Sequence, residues 1–152
     1  MRHRSRPESL ARERCAEIRA GTPPLTTAEA GSLAAGVAGE WQIDEGEIRR
    51  EFTFKTFNAA FGLATRIALL AEAQGHHPEL EVGWGRLVVR LSTHSVGGLS
   101  RNDFIMAARI DRLAGGLIDR RDQGRNPGEE EGVTVKWVTR EHPKTTGSPA
   151  LG

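Results

Sequence analysis

Apolar residues recur at intervals of three and four through Phe57, Ala60, Phe61, Ala64, Ile67, Ala68 and Ala71. That period predicts a helix over residues 56–74, about 28 Å long at 1.5 Å per residue, with this stripe as its buried face. Gly75 can take the left-handed conformation that ends helices, and Pro78 forbids an immediate restart. Upstream, Gly21-Thr22-Pro23-Pro24 breaks the chain, and Thr26 with Glu29 has the spacing of a capping box. Ala30, Leu33, Ala34 and Val37 then form a modest helical stripe that Gly39 can stop. From Trp41 the period shortens to two. Trp41 and Ile43 alternate with polar neighbours, Asp44-Glu45-Gly46 reads as a turn, and Ile48, Arg50, Phe52 and Phe54 share a strand face, so an antiparallel hairpin is expected.

A second pair of strands follows the long helix: a short one over Glu81 to Trp84, and a stronger one from Arg86 to Thr93. In the latter Leu87, Val89, Leu91 and Thr93 share one face, and Val88, Arg90, Ser92 and His94 the other. Val96-Gly97-Gly98-Leu99 makes a glycine loop. Ser100 then opens a last helix, with Asp103 three residues on and Met106, Ile110, Leu113 and Leu117 as its stripe. The order α-β-β-α-β-β-α predicts an α+β domain with hairpins covered by helices on one face. Residues 1–21 read as a flexible N-terminal segment, 22–119 as the domain and 120–152 as a polar, flexible tail. Arg120 to Gly132 is charged and glycine-containing, which favours disorder, while Val133, Val135 and Trp137 alternate as a further edge strand would.

Composition narrows the class. With 152 residues, 38% hydrophobic and 27% charged, the chain suits one soluble globular domain. A formal net charge of +1 gives no global electrostatic case for nucleic acid or membrane binding. Arg2, His3, Arg4 and Arg6 cluster at the start and read as a solvated tail. Cys15 is the single cysteine, so no internal disulfide can form and a reducing compartment is the simplest home. No apolar run approaches the roughly 20 residues of a membrane span, and the start lacks the apolar region of a secretory signal. A cytoplasmic location is expected.

Three of the five histidines, His76, His77 and His94, fall in the middle third. His76 lies four residues after Glu72, one helical turn on, and His94 ends a strand, so an imidazole and a carboxylate reach one end of the domain from two elements. Histidine gives and takes protons near neutrality, its unperturbed pKa being about 6.5. A single histidine at a helix end is usually a partner for terminal carbonyls; a second element ending in another histidine, beside glycines, points to proton transfer on a flat ligand. Three histidines also fit a zinc site, although adjacent side chains such as His76 and His77 tend to diverge and no H-E-x-x-H or C-x-x-C accompanies them. No G-x-S-x-G elbow and no phosphate-binding glycine loop occurs.

Glu72-x-x-x-His76-His77-Pro78, then five residues to Trp84, nine to His94 and eight to Asp103, resembles the signature of pterin-4a-carbinolamine dehydratases. Pro24-Leu25-Thr26, Trp41 and Thr93-His94-Ser95-Val96-Gly97-Gly98-Leu99 are similar to the flanking text of that family, and the resemblance spans roughly residues 22–117. It implies a four-stranded antiparallel sheet with three helices on one face. It also implies dehydration of 4a-hydroxytetrahydropterin to quinonoid dihydropterin, in the cofactor cycle of aromatic amino acid hydroxylases, with no cofactor and no metal. By position, His76 and His94 would be the acid–base pair, His77 would hold the pterin, and Glu72 would orient His76. Trp84, Asp103, Thr93 and Ser95 would line the substrate pocket; Asp103 equally suits an acidic group at a helix N-terminus, and Trp84 plain sheet packing. Gly75 departs from the Asn or Asp of many relatives. The resemblance further implies a homodimer or homotetramer. It leaves open a second role known in the family, as a transcriptional coactivator or an idle dehydratase-like assembly factor, for example for Rubisco, with a protein partner reached through the tail.

Overall fold

The computed structural model describes residues 7–44 and 46–118; the tail and its expected strand at Val133, Val135 and Trp137 lie outside the described residues, as does the side chain of Leu117. Along the described chain run α1 (Pro7–Leu10), α2 (Thr27–Ala34), β1 (Gln42–Ile43), β2 (Ile48–Thr53), α3 (Phe57–Gln74), β3 (Glu79–Gly83), β4 (Arg86–Leu91) and α4 (Arg101–Ile118). The strands form one antiparallel sheet in the order β1-β2-β4-β3. The expected α+β architecture is therefore present, with α1 as an addition.

Sheet and helices meet over Ile48, Phe52, Leu87, Val89 and Leu91, which share a core with Leu63, Ile67, Phe104, Met106 and Ile110. Each of the last five is 2% exposed or less, so truncating one to alanine should cost about 2–5 kcal/mol. The helix boundaries follow local chemistry. Thr26 and Glu29 make the reciprocal capping-box bonds at α2, and Thr56 caps α3 by accepting from the Ala59 N–H. Helix α2 stops at Ala34, short of Gly39.

Two packing details differ from the periodic reading. Helix α3 buries Ala60, Leu63, Ala64, Ile67 and Ala71, while Phe57, Phe61 and Ala68 face out. The small residues at 60, 64 and 71 let the helix lie close to its neighbours, with Leu63 and Ile67 filling the gap; Phe57 and Phe61 instead stack on each other at 5.9 Å. On β4, Val88 points away from the helices yet is wholly buried. Its cross-strand neighbours are Glu51 and Glu81, and Arg86 bonds both carboxylates, at 3.1 and 3.0 Å, so an ionic lattice seals a single valine.

One carboxylate organises the interior beside β2. Asp111 accepts from the Ala38 N–H at 2.8 Å, from Trp41 Nε1 at 2.7 Å and from the Arg50 guanidinium, which lies 4.3 Å over the Phe52 ring. Burial pushes the Asp111 carboxyl above its ordinary value, against the opposing pull of these donors and the Arg50 charge. The N-terminal segment, read from sequence as flexible, contributes Leu10 and Ala11 to the core at 3% and 5% exposure.

Candidate active site

Helix α3 ends on Gly75, whose φ of +64° is the left-handed turn expected of it. The His76 N–H reaches back to the Ala71 carbonyl and the Gly75 N–H to that of Glu72, the paired bonds of a Schellman ending. This turn sends the two histidines different ways. His76 goes inward, its side chain 12% exposed, and its Nε2 lies 2.6 Å from Oδ1 of Asp103. His77 goes outward, and its Nε2 meets Glu72 Oε1 at 2.6 Å, both groups well exposed. The expectation that Glu72 orients His76 is corrected: four-residue spacing puts side chains on one face only while the helix continues, and Gly75 breaks it first. Asp103 partners His76.

Asp103 is fully buried and its second oxygen is equally engaged. Oδ2 accepts from Thr93 Oγ1 at 2.8 Å and from the Ser100 N–H at 2.9 Å, while Thr93 and Ser100 share a hydroxyl bond at 2.7 Å. One oxygen thus serves the start of α4, as an acidic group at a helix N-terminus would, while the other meets a histidine that sequence reading had not paired with it. A carboxylate oxygen accepts, so the contact at Oδ1 assigns a hydrogen of His76 to Nε2.

The second histidine segment arrives at the same carboxylate. Strands β3 and β4 pair with Glu79 opposite Arg90, so the residues before β3 and after β4 lie at one end of the sheet. Thr93 holds Asp103, and His94, next in sequence, begins a 3-10 turn over His94–Val96. Backbone bonds of Thr93 to Gly98, at 2.8 and 3.4 Å, and Gly97 at φ +69° close that loop and leave His94 and Ser95 exposed. His76, His77, His94, Ser95 and Asp103 thus share one end of the fold. Thr93, expected to line the pocket, is 5% exposed and works inward on Asp103.

Trp84 does not join them. It sits in the β3–β4 turn, one strand of five residues from the histidines, about 17 Å at 3.3–3.4 Å per residue. At 77% exposure it neither lines that site nor packs on the sheet. Pattern reading also missed Gln74 and Asn102, which tie the histidine turn and the start of α4 to the N-terminal segment; polar residues at helix ends carry no periodic signal for such bonds.

A sequence model of the family described as pterin 4 alpha carbinolamine dehydratase matches residues 23–113. The chain belongs to this family. A provisionally named pterin-4-alpha-carbinolamine dehydratase 1 of Cupriavidus pinatubonensis is 43% identical over 112 residues, covering 72% of this chain and 96% of the relative. One from Paracoccus denitrificans, named with the same reserve, is 48% identical over 108 residues, covering 70% and 97%. A crystal structure of a transcriptional coactivator/pterin dehydratase from Brucella melitensis overlays with a TM-score of 0.57 at 37% identity, covering 60% of this chain and 99% of that one. The matched stretch of the pterin dehydratase family carries every histidine of the site and Asp103, and begins after the segment that Gln74 and Asn102 hold. No helix among the described residues is long and apolar enough to cross a membrane.

Proposed function

We propose that the chain dehydrates 4a-hydroxytetrahydropterin to quinonoid dihydropterin, recycling the pterin cofactor of aromatic amino acid hydroxylases in the cytoplasm. The observation that carries this reading is the convergence of two histidine-bearing segments on the buried Asp103 carboxylate, His76 by direct bond at 2.6 Å and His94 through its neighbour Thr93 at 2.8 Å.

The reaction breaks the bond from C4a to its hydroxyl, removes a proton from the adjacent ring nitrogen and forms a C=N bond between the two, releasing water. The nitrogen lone pair expels the hydroxyl, so no high-energy carbanion arises and proton movement is the main task. Positioned acid–base groups supply about 10²–10⁴-fold for such a step. In this reading His76 and His94 form the acid–base pair, one protonating the departing hydroxyl and the other taking the nitrogen-bound proton. Asp103 holds the His76 ring in place through the contact at Nε2. His77, braced by Glu72, contacts the pterin from the exposed side, with Ser95 at the rim.

Purified protein given freshly generated 4a-hydroxytetrahydropterin should accelerate loss of its absorbance, and the double variant His76→Ala/His94→Ala should abolish the acceleration. Undiminished turnover by the double variant removes the assignment.

A further inference from the structure

Residues 9–16 run as a strap from the core to the end of α3 and the start of α4, the two elements beside the site. Leu10 and Ala11 seat it; a Cβ added at Gly36 would fall 2.4 Å from Leu10 Cδ1, so the chain there passes in close contact. Glu13 is gripped by Arg101 through both carboxylate oxygens, at 2.8 and 2.7 Å, and its carbonyl accepts from Arg109 Nε at 2.8 Å. Two consecutive residues then reach the elements that carry the His76–Asp103 pair. The Cys15 N–H donates to Gln74 Oε1 at 3.0 Å, and Gln74 is the last residue of α3, two before His76. The buried amide of Asn102, one residue before Asp103, accepts from the Ala16 N–H at 3.0 Å and donates to the Ala16 carbonyl at 2.8 Å. Cys15 Sγ also lies 3.7 Å from the Asn102 carbonyl.

We propose that this strap is a positioning element for the His76–Asp103 pair, acting through Gln74 and Asn102 as positioning residues; the catalytic part of this inference rests on the dehydratase reading above. His76 stands on a coil between the end of α3 and β3, and Asp103 on the first turn of α4; the β3–β4 ladder and Thr93 bring the two to one end of the fold. The strap adds a direct tie, by fastening both supports to adjacent residues of one chain. A hydrogen bond at 2.6 Å tolerates little drift, and a misplacement of about 1 Å at a reacting group can cost about 10²-fold in rate. Burial of Leu10 and Ala11 would suffice to park a terminal segment; bonds to the residues nearest the pair are what positioning requires.

The test uses the full chain with Gln74→Ala, Asn102→Ala, Asn102→Asp (which keeps one of the two bonds) and Gln74→Glu (which keeps the acceptor for Cys15). Ile110→Val, a core truncation that removes none of the strap's hydrogen bonds, serves as the stability control. Two quantities are read on folded protein: kcat and KM for dehydration, and the nuclear magnetic resonance signal of the His76 Nε2 hydrogen, which its bond to Asp103 protects from exchange. Gln74→Ala and Asn102→Ala should lower kcat about 10-fold with KM within about twofold and should broaden or erase the Nε2 hydrogen. Asn102→Asp should fall between, Gln74→Glu should recover both readouts, and Ile110→Val should leave both unchanged. Alanine variants with wild-type kcat and an intact Nε2 signal overturn the proposal. A wild type without turnover would sink the dehydratase reading alone, because the Nε2 signal decides the strap's role by itself.

Discussion

Replacing Asp103 by asparagine keeps the shape of the site and inverts one hydrogen bond. The Ser100 N–H lies 2.9 Å from Oδ2 and can only donate, so the asparagine oxygen must take that edge. Its NH₂ group then occupies the Oδ1 position, 2.6 Å from His76 Nε2, where two donors would face each other. The imidazole must give up its Nε2 hydrogen for the other tautomer or swing away. Either response removes a hydrogen bond to a charged acceptor, worth about 1.5–3 kcal/mol. At 1.36 kcal/mol per decade this is about 10- to 150-fold in kcat for a step that needs the His76 ring held in this orientation. The assay is steady-state dehydration by Asp103→Asn, with circular dichroism and a urea melt to establish that it is folded. A folded variant within about twofold of wild type would refute the claim that Asp103 works through His76.

Asp111→Ala should strand the Arg50 guanidinium, whose side chain is 12% exposed, together with the Ala38 and Trp41 N–H donors. Removing one partner of a buried pair costs about 3–5 kcal/mol, a large share of the 5–15 kcal/mol typical of a domain, and a urea melt should read it. Burial lifts the Cys15 thiol from 9.0 to about 11, so at pH 8 it should react with iodoacetamide about 100-fold more slowly than an ordinary cysteine, and at the ordinary rate once unfolded. Because the folded value is the higher one, that thiol's contribution to stability is complete below pH 9 and lost as pH rises from 9.0 to about 11, visible as falling urea midpoints. Gly75→Ala meets no atom within 4 Å but holds a φ of +64°, so it should cost about 1–2 kcal/mol from backbone strain alone, and Gly75→Asn should cost less.

Much of the molecule was legible without coordinates because it is local. Capping at Thr26, the left-handed stop at Gly75 and the alternation of β2 depend on residues within one turn or one strand, and each element stands near its expected place. The grouping of His76, His77 and His94 followed from strand order, since an antiparallel pair returns the chain to the end it left. Family membership was equally available, because spacing survives in the text of the chain.

What only the tertiary structure decided is which of several compatible faces and partners is used. Helix α3 is apolar around most of its circumference, so its period admits a stripe through Phe57 and Phe61 as readily as the one through Leu63 and Ile67; the fit of small alanines against neighbouring elements selects the second. His76 had Glu72 within sequence reach and Asp103 outside it, and the turn at Gly75 reversed that choice. The docking of Cys15 and Ala16 on Gln74 and Asn102 spans 59 and 86 residues of chain. Periodicity reports whether a face is apolar, not what it will meet, and hydrogen bonds between distant segments are set only when packing brings their backbones together.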